Sequence, residues 1–283
     1  MIETFCFEGK IKGLSLLVLG AIHGNEIAGK NAINRLIDDI NQKKIVIKKG
    51  RLVLVPVCNP LANKKGVRQI DENLNRVMKI WCEPKTYEQK LANEICPLIK
   101  NCDMLLDLHS THCRDDEPFV FCDCLKEYNT KLIEVLGVNY VLEGWPEIYA
   151  NQSIIEDFST ERTANDFGKS ATTLECGYHK DKKAEDIAYD AIYNALICFG
   201  MIDGILPFRD IKTHVVMKEF VIKEKEGVLV GDFKHLDKIK KGDVIAIYDD
   251  GEKLIAPNDG YILLPNHDAK IGAEWYYFGV EKL

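Results

Sequence analysis

The sequence predicts an α/β fold, a mainly parallel, mixed sheet flanked by helices and followed by a small all-β unit. Three observations carry that expectation. Between Leu14 and about Phe199, short apolar runs of strand length alternate with longer segments of helical period, the signature of strands and crossover helices in layers. From Gly200 the texture changes, because GMIDGILPFRD brings two Gly and one Pro and is followed by short strand-like runs with turn signals every ten or so residues. The composition, 46% hydrophobic and 29% charged over 283 residues, is that of an ordinary globular chain of about two domains, without repeats or low-complexity tracts.

In chain order the expected strands are LSLLVL (14–19), RLVLVPV (51–57), MLLDL (104–108), VNYVL (138–142) and ATTLE (171–175). Apolar stripes at helical spacing separate them: Ile33, Leu36, Ile37 and Ile40 after the first strand, then Ala184, Ile187, Ala188, Ala191, Ile192 and Ala195 near the end of the layer. A boundary is expected near 200–212. Beyond it, HVVMKEFVI, GVLVGDF, DVIAIYDD, KLIAP and GYILLP are divided by Lys-Gly-Asp, Asp-Gly and Asn-Asp-Gly turns and read as β-strands.

Charge and patterning narrow the partners. With 37 Lys+Arg against 44 Asp+Glu the formal charge is −7, so nucleic acid and anionic membrane surfaces are not expected partners. The apolar stretch Leu14 to Leu19 is far short of the roughly 20 residues that span a bilayer. An acidic Glu3 and no basic, then apolar, leader pattern suggest a cytoplasmic protein. Its ten Cys are accordingly expected to be reduced and mostly small buried hydrophobes.

The residues that could do chemistry follow the expected strands. His23 and Glu26, in GAIHGNE, form His-x-x-Glu on a turn with two glycines, a spacing that can aim an imidazole and a carboxylate at one point. Alone, the pair is weak evidence and reads more readily as a helix-capping Glu and a loop His. DLHST ends a strongly apolar strand in His109, with His112 as a weaker competitor and Asp107 placed to orient the imidazole or merely to cap the loop. Ligands of open parallel sheets bind beyond the carboxyl ends of strands, where His23, Glu26 and His109 all fall. Two His and one Glu leave a tetrahedral Zn²⁺ one open position, the composition of a hydrolytic site. No Cys-x-x-Cys competes, and Cys122 and Cys124 are too close to form a zinc knuckle. Glu175, in TLECG, is the candidate general base, able to take a proton from a zinc-bound water and hand it to a departing amine. Between these lies NPLANKKGVRQIDENLNR (59–76), read as a loop, in which Arg68 and Arg76 offer forked donors for an oxyanion or a carboxylate.

Taken in order, HGNE, NPLANKKGVRQIDENLNR, DLHST and TLECG resemble the succinylglutamate desuccinylase/aspartoacylase group of the zinc carboxypeptidase superfamily over roughly 14–180, with a fainter match in the β unit. The resemblance implies a zinc-carboxypeptidase-like fold, with a catalytic domain over 1–205 and a β-rich domain over 206–283 that covers the active-site mouth. It implies one zinc per chain on His23, Glu26 and His109, carbonyl polarisation by Arg68, a substrate carboxylate held by Asn75 and Arg76, and Glu175 as base. The implied reaction is hydrolysis of the amide of a small N-acyl amino acid. Rival readings are a metallocarboxypeptidase acting on peptides and a catalytically silent acyl-amino-acid sensor. Aspartoacylase has further substrate-binding Arg and Tyr residues; Arg162 is a candidate here, and Tyr178 and His179 follow Glu175 where the family varies. A homodimer is left open as the assembly. The β unit also resembles a biotinyl or lipoyl carrier in its turns, but the carrier's Met-Lys-Met or Asp-Lys-Ala is missing, and Lys253 reads as a surface lysine.

Overall fold

A computed structural model describes residues 2–111, 116–123, 126–150, 158–207 and 212–282. The first half comprises β1 (Phe5–Glu8), β2 (Ile11–Gly20), α1 (Ile27–Asn41), β3 (Lys49–Val55), α2 (Pro60–Lys65), a 3₁₀ turn (Leu74–Arg76), α3 (Tyr87–Asn101), β4 (Met104–Thr111), β5 (Phe119–Phe121), α4 (Glu127–Val135) and β6 (Tyr140–Glu143). Then come α5 (Trp145–Ala150), α6 (Thr160–Asp166), β7 (Ser170–Tyr178), α7 (Lys182–Cys198), β8 (Thr213–Ile222), β9 (Gly227–Leu229), β10 (Asp237–Ile239), β11 (Val244–Tyr248), β12 (Lys253–Ile255), β13 (Gly260–Leu263) and β14 (Glu274–Glu281).

Among the described residues, eleven strands form one mixed sheet in the order β1-β3-β2-β4-β7-β5-β6-β8-β14-β13-β10. Its centre, β3-β2-β4-β7, is parallel throughout. Those strands are apolar on both faces because both faces are covered. Leu16, Val18, Leu106 and Leu108 pack on one side with the apolar stripes of α1 and α7, and Leu17, Leu19 and Leu105 pack on the other with Leu91, Ile95 and Ile99 of α3 and Ala164 of α6. Alternate residues of one strand thus serve two cores, as the period of two requires. The expected helices after the first and last strands are α1 and α7.

The sheet continues into the β-rich part of the chain. β8 pairs parallel with β6, and β14, β13 and β10 add antiparallel beyond it. β9, β11 and β12 form a separate three-stranded antiparallel sheet. Among the described residues no helix is long and apolar enough to cross a membrane. Of the described free cysteines, Cys58, Cys96, Cys102, Cys122 and Cys176 are buried, while Cys6 and Cys82 are exposed.

Two expectations need correction. The stretch 59–76 is not all loop: Asn59 accepts Ala62 N–H as an N-cap, Pro60 opens α2, and Gly66 in the left-handed region (φ 65°) ends it. Leu74–Arg76 adds a 3₁₀ turn capped by the Asn73 side chain. The second correction is α3, unforeseen in the sequence although Thr86 caps it by accepting Gln89 N–H, leaving the Thr-x-x-Gln signature of a helix start.

Candidate active site

β2, β4 and β7 run parallel, and their carboxyl ends bring distant segments together. After Gly20 the chain turns through Ala21, whose φ of 46° is uncommon for a residue with a Cβ, and presents His23 before α1 begins. Gly24 is required there: a Cβ on it would lie 2.2 Å from the carbonyl carbon of Ala62. That closeness ties the turn to α2, with Asn63 Nδ2 donating to Gly24 O at 2.8 Å and Gly24 N donating to Arg68 O at 3.0 Å. Glu26 occupies the N-cap of α1 yet makes no capping hydrogen bond. Its carboxylate turns inward instead.

The Glu26 carboxylate lies between two imidazoles. His23 Nδ1 is 2.7 Å from Oε1 and His109 Nδ1 is 2.9 Å from Oε2. One donor atom from each of the three residues falls within 4.8 Å of the others, and all three residues are buried. The far ring nitrogens also meet acceptors: His23 Nε2 is 2.9 Å from Asn73 Oδ1, and His109 Nε2 is 3.0 Å from Asp107 Oδ2. Asn73 is fixed in that orientation because the same oxygen accepts Asn75 N–H at 2.9 Å. Asp107 Oδ2 also accepts the Thr160 hydroxyl, 2.5 Å away.

Each imidazole therefore has acceptors on both sides, whereas a neutral ring has only one N–H. A cation at the two Nδ1 atoms and the carboxylate resolves this, leaving each Nε2–H to donate outward. Buried nitrogen and carboxylate donors with such outer partners fit zinc. In the metal-free protein burial lowers the His23 pKa. Burial acts the same way on His109, but the carboxylates of Asp107 and Glu26 outweigh it and hold the imidazolium well above its usual range. Glu26 is held well below the usual carboxylate range, because His23 and His109 outweigh its own burial.

A group not anticipated from sequence shapes the loop that approaches from the side. Glu88, fully buried in the first turn of α3, accepts three successive backbone N–H groups, from Ile70 at 2.8 Å, Asp71 at 3.1 Å and Glu72 at 3.2 Å. Asn59 Nδ2 adds a fourth at 3.1 Å. This gathers the segment carrying Arg68, Asn73, Asn75 and Arg76 against the sheet end. Arg68 Nη1 donates to Glu26 Oε1 at 2.9 Å, and the Arg76 guanidinium lies 5.5 Å from the Trp145 ring centre.

Glu175 faces the same space from β7, in register with His109 on β4. The residue opens onto the cavity, but its Oε2 is shut off from solvent and takes no hydrogen bond among the described residues. Burial is the main cause that raises its carboxyl to about 8. His23, Glu26, Arg68, Asn75, Arg76, His109 and Glu175 all line one cavity of about 590 Å³. Its outer wall comes from the β-rich part, through Leu264, Asn266, Glu274 and Tyr277. Tyr149 donates to Glu274 Oε1 at 2.8 Å and lies 2.7 Å from the Tyr277 hydroxyl, which ties α5 to that wall. Arg162 is not on the cavity; it turns outward to Asp166 along α6, 3.1 Å away. Its neighbour Glu161 faces the cavity instead, as does His179. His112 and Cys124 lie outside the described residues.

The sequence profile of the succinylglutamate desuccinylase/aspartoacylase catalytic domain matches residues 12–195. A succinylglutamate desuccinylase of a Shewanella species is 41% identical over 66 residues, 23% of this chain and 19% of that protein. A probable aspartoacylase of Prochlorococcus marinus is 33% identical over 101 residues, 34% of this chain and 33% of that protein. The aligned stretches thus span a third or less of these curated relatives. The product-bound structure of the ectoine utilization protein EutE (DoeB) from Ruegeria pomeroyi is similar over 99% of this chain and 89% of its own, with a TM-score of 0.78 at 22% identity. A succinylglutamate desuccinylase/aspartoacylase structure from Rhodobacter sphaeroides also gives 0.78, at 17% identity, over 99% of this chain and 90% of its own. At these identities the two structures establish a shared fold.

Two outcomes are expected of this geometry. Zinc at His109 Nδ1 would displace the proton that Asp107 and Glu26 hold on that ring, so affinity should fall as pH drops through neutral. Calorimetry at pH 7 in buffers of different ionisation enthalpy should show release of about one proton; uptake without proton release would contradict the assigned charge state. Glu88→Ala, by freeing three backbone donors of the loop, should cost about 2–4 kcal/mol in urea unfolding. A loss under about 0.5 kcal/mol, the range of an ordinary surface substitution, would contradict its role.

Proposed function

The chain belongs to the succinylglutamate desuccinylase/aspartoacylase family, and on that premise we propose that it hydrolyses the amide bond of small N-acyl amino acids, releasing a carboxylate and a free amine. The observation that carries the reading is the convergence of His23, Glu26, His109 and Glu175 on one cavity with Arg68, Asn75 and Arg76. His23, Glu26 and His109 would hold one zinc. When bound, it supplies a Lewis acid that polarises a carbonyl and lowers the pKa of water to about 7.

The chain's own groups supply the rest. Arg68 reaches Glu26 with one guanidinium nitrogen and presents fixed positive charge where an amide oxygen would gain negative charge. Glu175 takes a proton from the attacking water and returns it to the leaving nitrogen. A carboxyl raised towards neutrality by burial is suited to both transfers, because neither direction is strongly uphill. Asn75 Oδ1 is occupied by Thr160 N–H at 2.9 Å, so its amide nitrogen is the end that donates to a substrate carboxylate, alongside Arg76.

The division at 205/206 has a functional sense in this reading. The part over 1–205 carries the catalytic groups, and the part over 206–283 closes the cavity with Leu264, Asn266, Glu274 and Tyr277. That cover favours single amino-acid derivatives over peptides, which need a through-going cleft.

Glu175→Gln should retain zinc and lose about 10²–10⁴-fold in kcat, the usual cost of removing a general base. Amine release within tenfold of wild type would remove Glu175 from the mechanism. Arg76→Ala should raise KM for N-acyl amino acids with a free α-carboxylate at least tenfold more than for their carboxamides. Equal losses on both would refute the clamp. The activity itself is tested by amine release from zinc-loaded protein across acidic, neutral and basic N-acetyl amino acids, N-succinylglutamate and a short peptide. Preference for the peptide would point to a carboxypeptidase.

A further inference from the structure

The cavity wall that comes from the β-rich part leans on a histidine behind it. β13 ends at Leu263, and Leu264, Pro265 and Asn266 then turn along the cavity. Leu264 has a φ of 47°, in the left-handed region that a bulky side chain rarely adopts. It lies beyond the ladder with β14, whose last pair is Leu263 with Tyr277. Its N–H donates instead to Nδ1 of His235, at 3.0 Å. A backbone N–H can only donate, so Nδ1 is the bare nitrogen and the ring proton sits on Nε2. Charging the ring would set two N–H groups against each other. His235 is 4% exposed, and burial pushes its pKa down to about 3, so it stays a neutral acceptor.

Two neighbours fix the ring. Leu236, the next residue, also has a left-handed φ, 71°, and donates its N–H to Ile262 O at 2.8 Å. The segment 235–236 thus accepts from one end of the turn and donates to the strand that leads into it. On its other side the imidazole packs on Phe119, with ring centres 4.3 Å apart. Phe119 is fully buried and pairs with Glu175 across β5 and β7; such pairs place both side chains on one face, about 4.5–5.5 Å apart at Cβ. The histidine therefore joins the β-rich part to the strand beside the proposed base. It does so at a cost, because among the described residues its buried Nε2 has no hydrogen-bond partner. A leucine would fill much of the same space without that cost. What the histidine adds is the acceptor at Nδ1.

We infer that His235 is a positioning residue for substrate binding, whose Nδ1 holds the Leu264–Asn266 turn in the shape that closes the cavity over a bound N-acyl amino acid. The inference rests on the deacylase reading above. The hydrogen bond acts on binding rather than on the chemical step, because the turn belongs to the outer wall, whereas the reacting groups come from the sheet ends and the 59–76 segment. The contact with Phe119 is a separate property of the ring.

The test compares zinc-loaded His235→Asn and His235→Leu on the N-acyl amino acid that wild type turns over best. The two side chains are nearly isosteric and both lose the ring contact with Phe119, but only Asn keeps an acceptor close to the place of Nδ1. KM of His235→Leu should exceed that of His235→Asn about tenfold or more, with kcat of the two within about threefold. Equal KM values, or a difference confined to kcat, overturn the inference and leave the deacylase reading in place. A second measurement keeps His235 itself: in zinc-loaded Glu175→Gln, saturation with the same substrate should slow hydrogen exchange at the Leu264 amide about tenfold or more. Unchanged exchange there overturns the inference even where neither His235 variant folds. No hydrolysis of any N-acyl amino acid by zinc-loaded wild type overturns both.

Discussion

The buried carboxylate of Glu26 is the interaction around which the site is organised. It takes His23 on one oxygen, His109 on the other, Arg68 Nη1 at 2.9 Å and Ser110 N at 3.2 Å. These partners come from the turn after β2, from the loop after α2 and from β4, segments far apart in sequence. A charged group at this depth is tolerated only when it is surrounded by donors or cations. The parallel arrangement of β2, β4 and β7 delivers them, because all three carboxyl ends open on one edge.

The supporting contacts explain why the surrounding elements are shaped as they are. Asp107 and Asn73 hold the outer nitrogens of the two imidazoles, so the rings cannot turn their inner nitrogens away from the centre. Glu88 holds the loop that supplies Asn73 and Arg68, and Asp107 in turn is tied to α6 through Thr160. His23, Glu26, His109, Asp107, Thr160, Asn75 and Asn73 therefore form one connected set of hydrogen bonds. A change in α6 is felt both at Asn75 and, through Asp107, at His109.

Much of this is legible in the sequence, and the exceptions have physical reasons. The strands announce themselves because their apolar runs are buried on both faces, and His23, His109 and Glu175 stand out as polar residues at or near the ends of such runs. Asp107 is readable as a partner of His109 from its position two residues earlier on the same strand face. Asn73 carries no signal, since its role depends on a loop whose path is set by tertiary contacts. Glu88 reads as an ordinary first-turn acid of a helix, and only its burial reveals that it serves another segment's backbone. On α6, Arg162 offers the expected residue type while Glu161 has the inward direction; a one-residue step rotates a side chain by about 100° on a helix, which residue type alone does not reveal. Glu274 and Tyr277 belong to β14, an aromatic run outside the strands that the sequence pattern predicts.

A zinc centre formed by His23, Glu26 and His109 at the carboxyl end of the sheet has a direct spectroscopic signature. Zinc K-edge X-ray absorption on the zinc-loaded protein, with metal stoichiometry, tests it most directly. The expected result is one zinc per chain with nitrogen and oxygen ligands at about 2.0–2.2 Å and the scattering pattern of two imidazoles. A sulfur shell at about 2.3 Å, or an unchanged spectrum after His23→Ala and His109→Ala together, would contradict it.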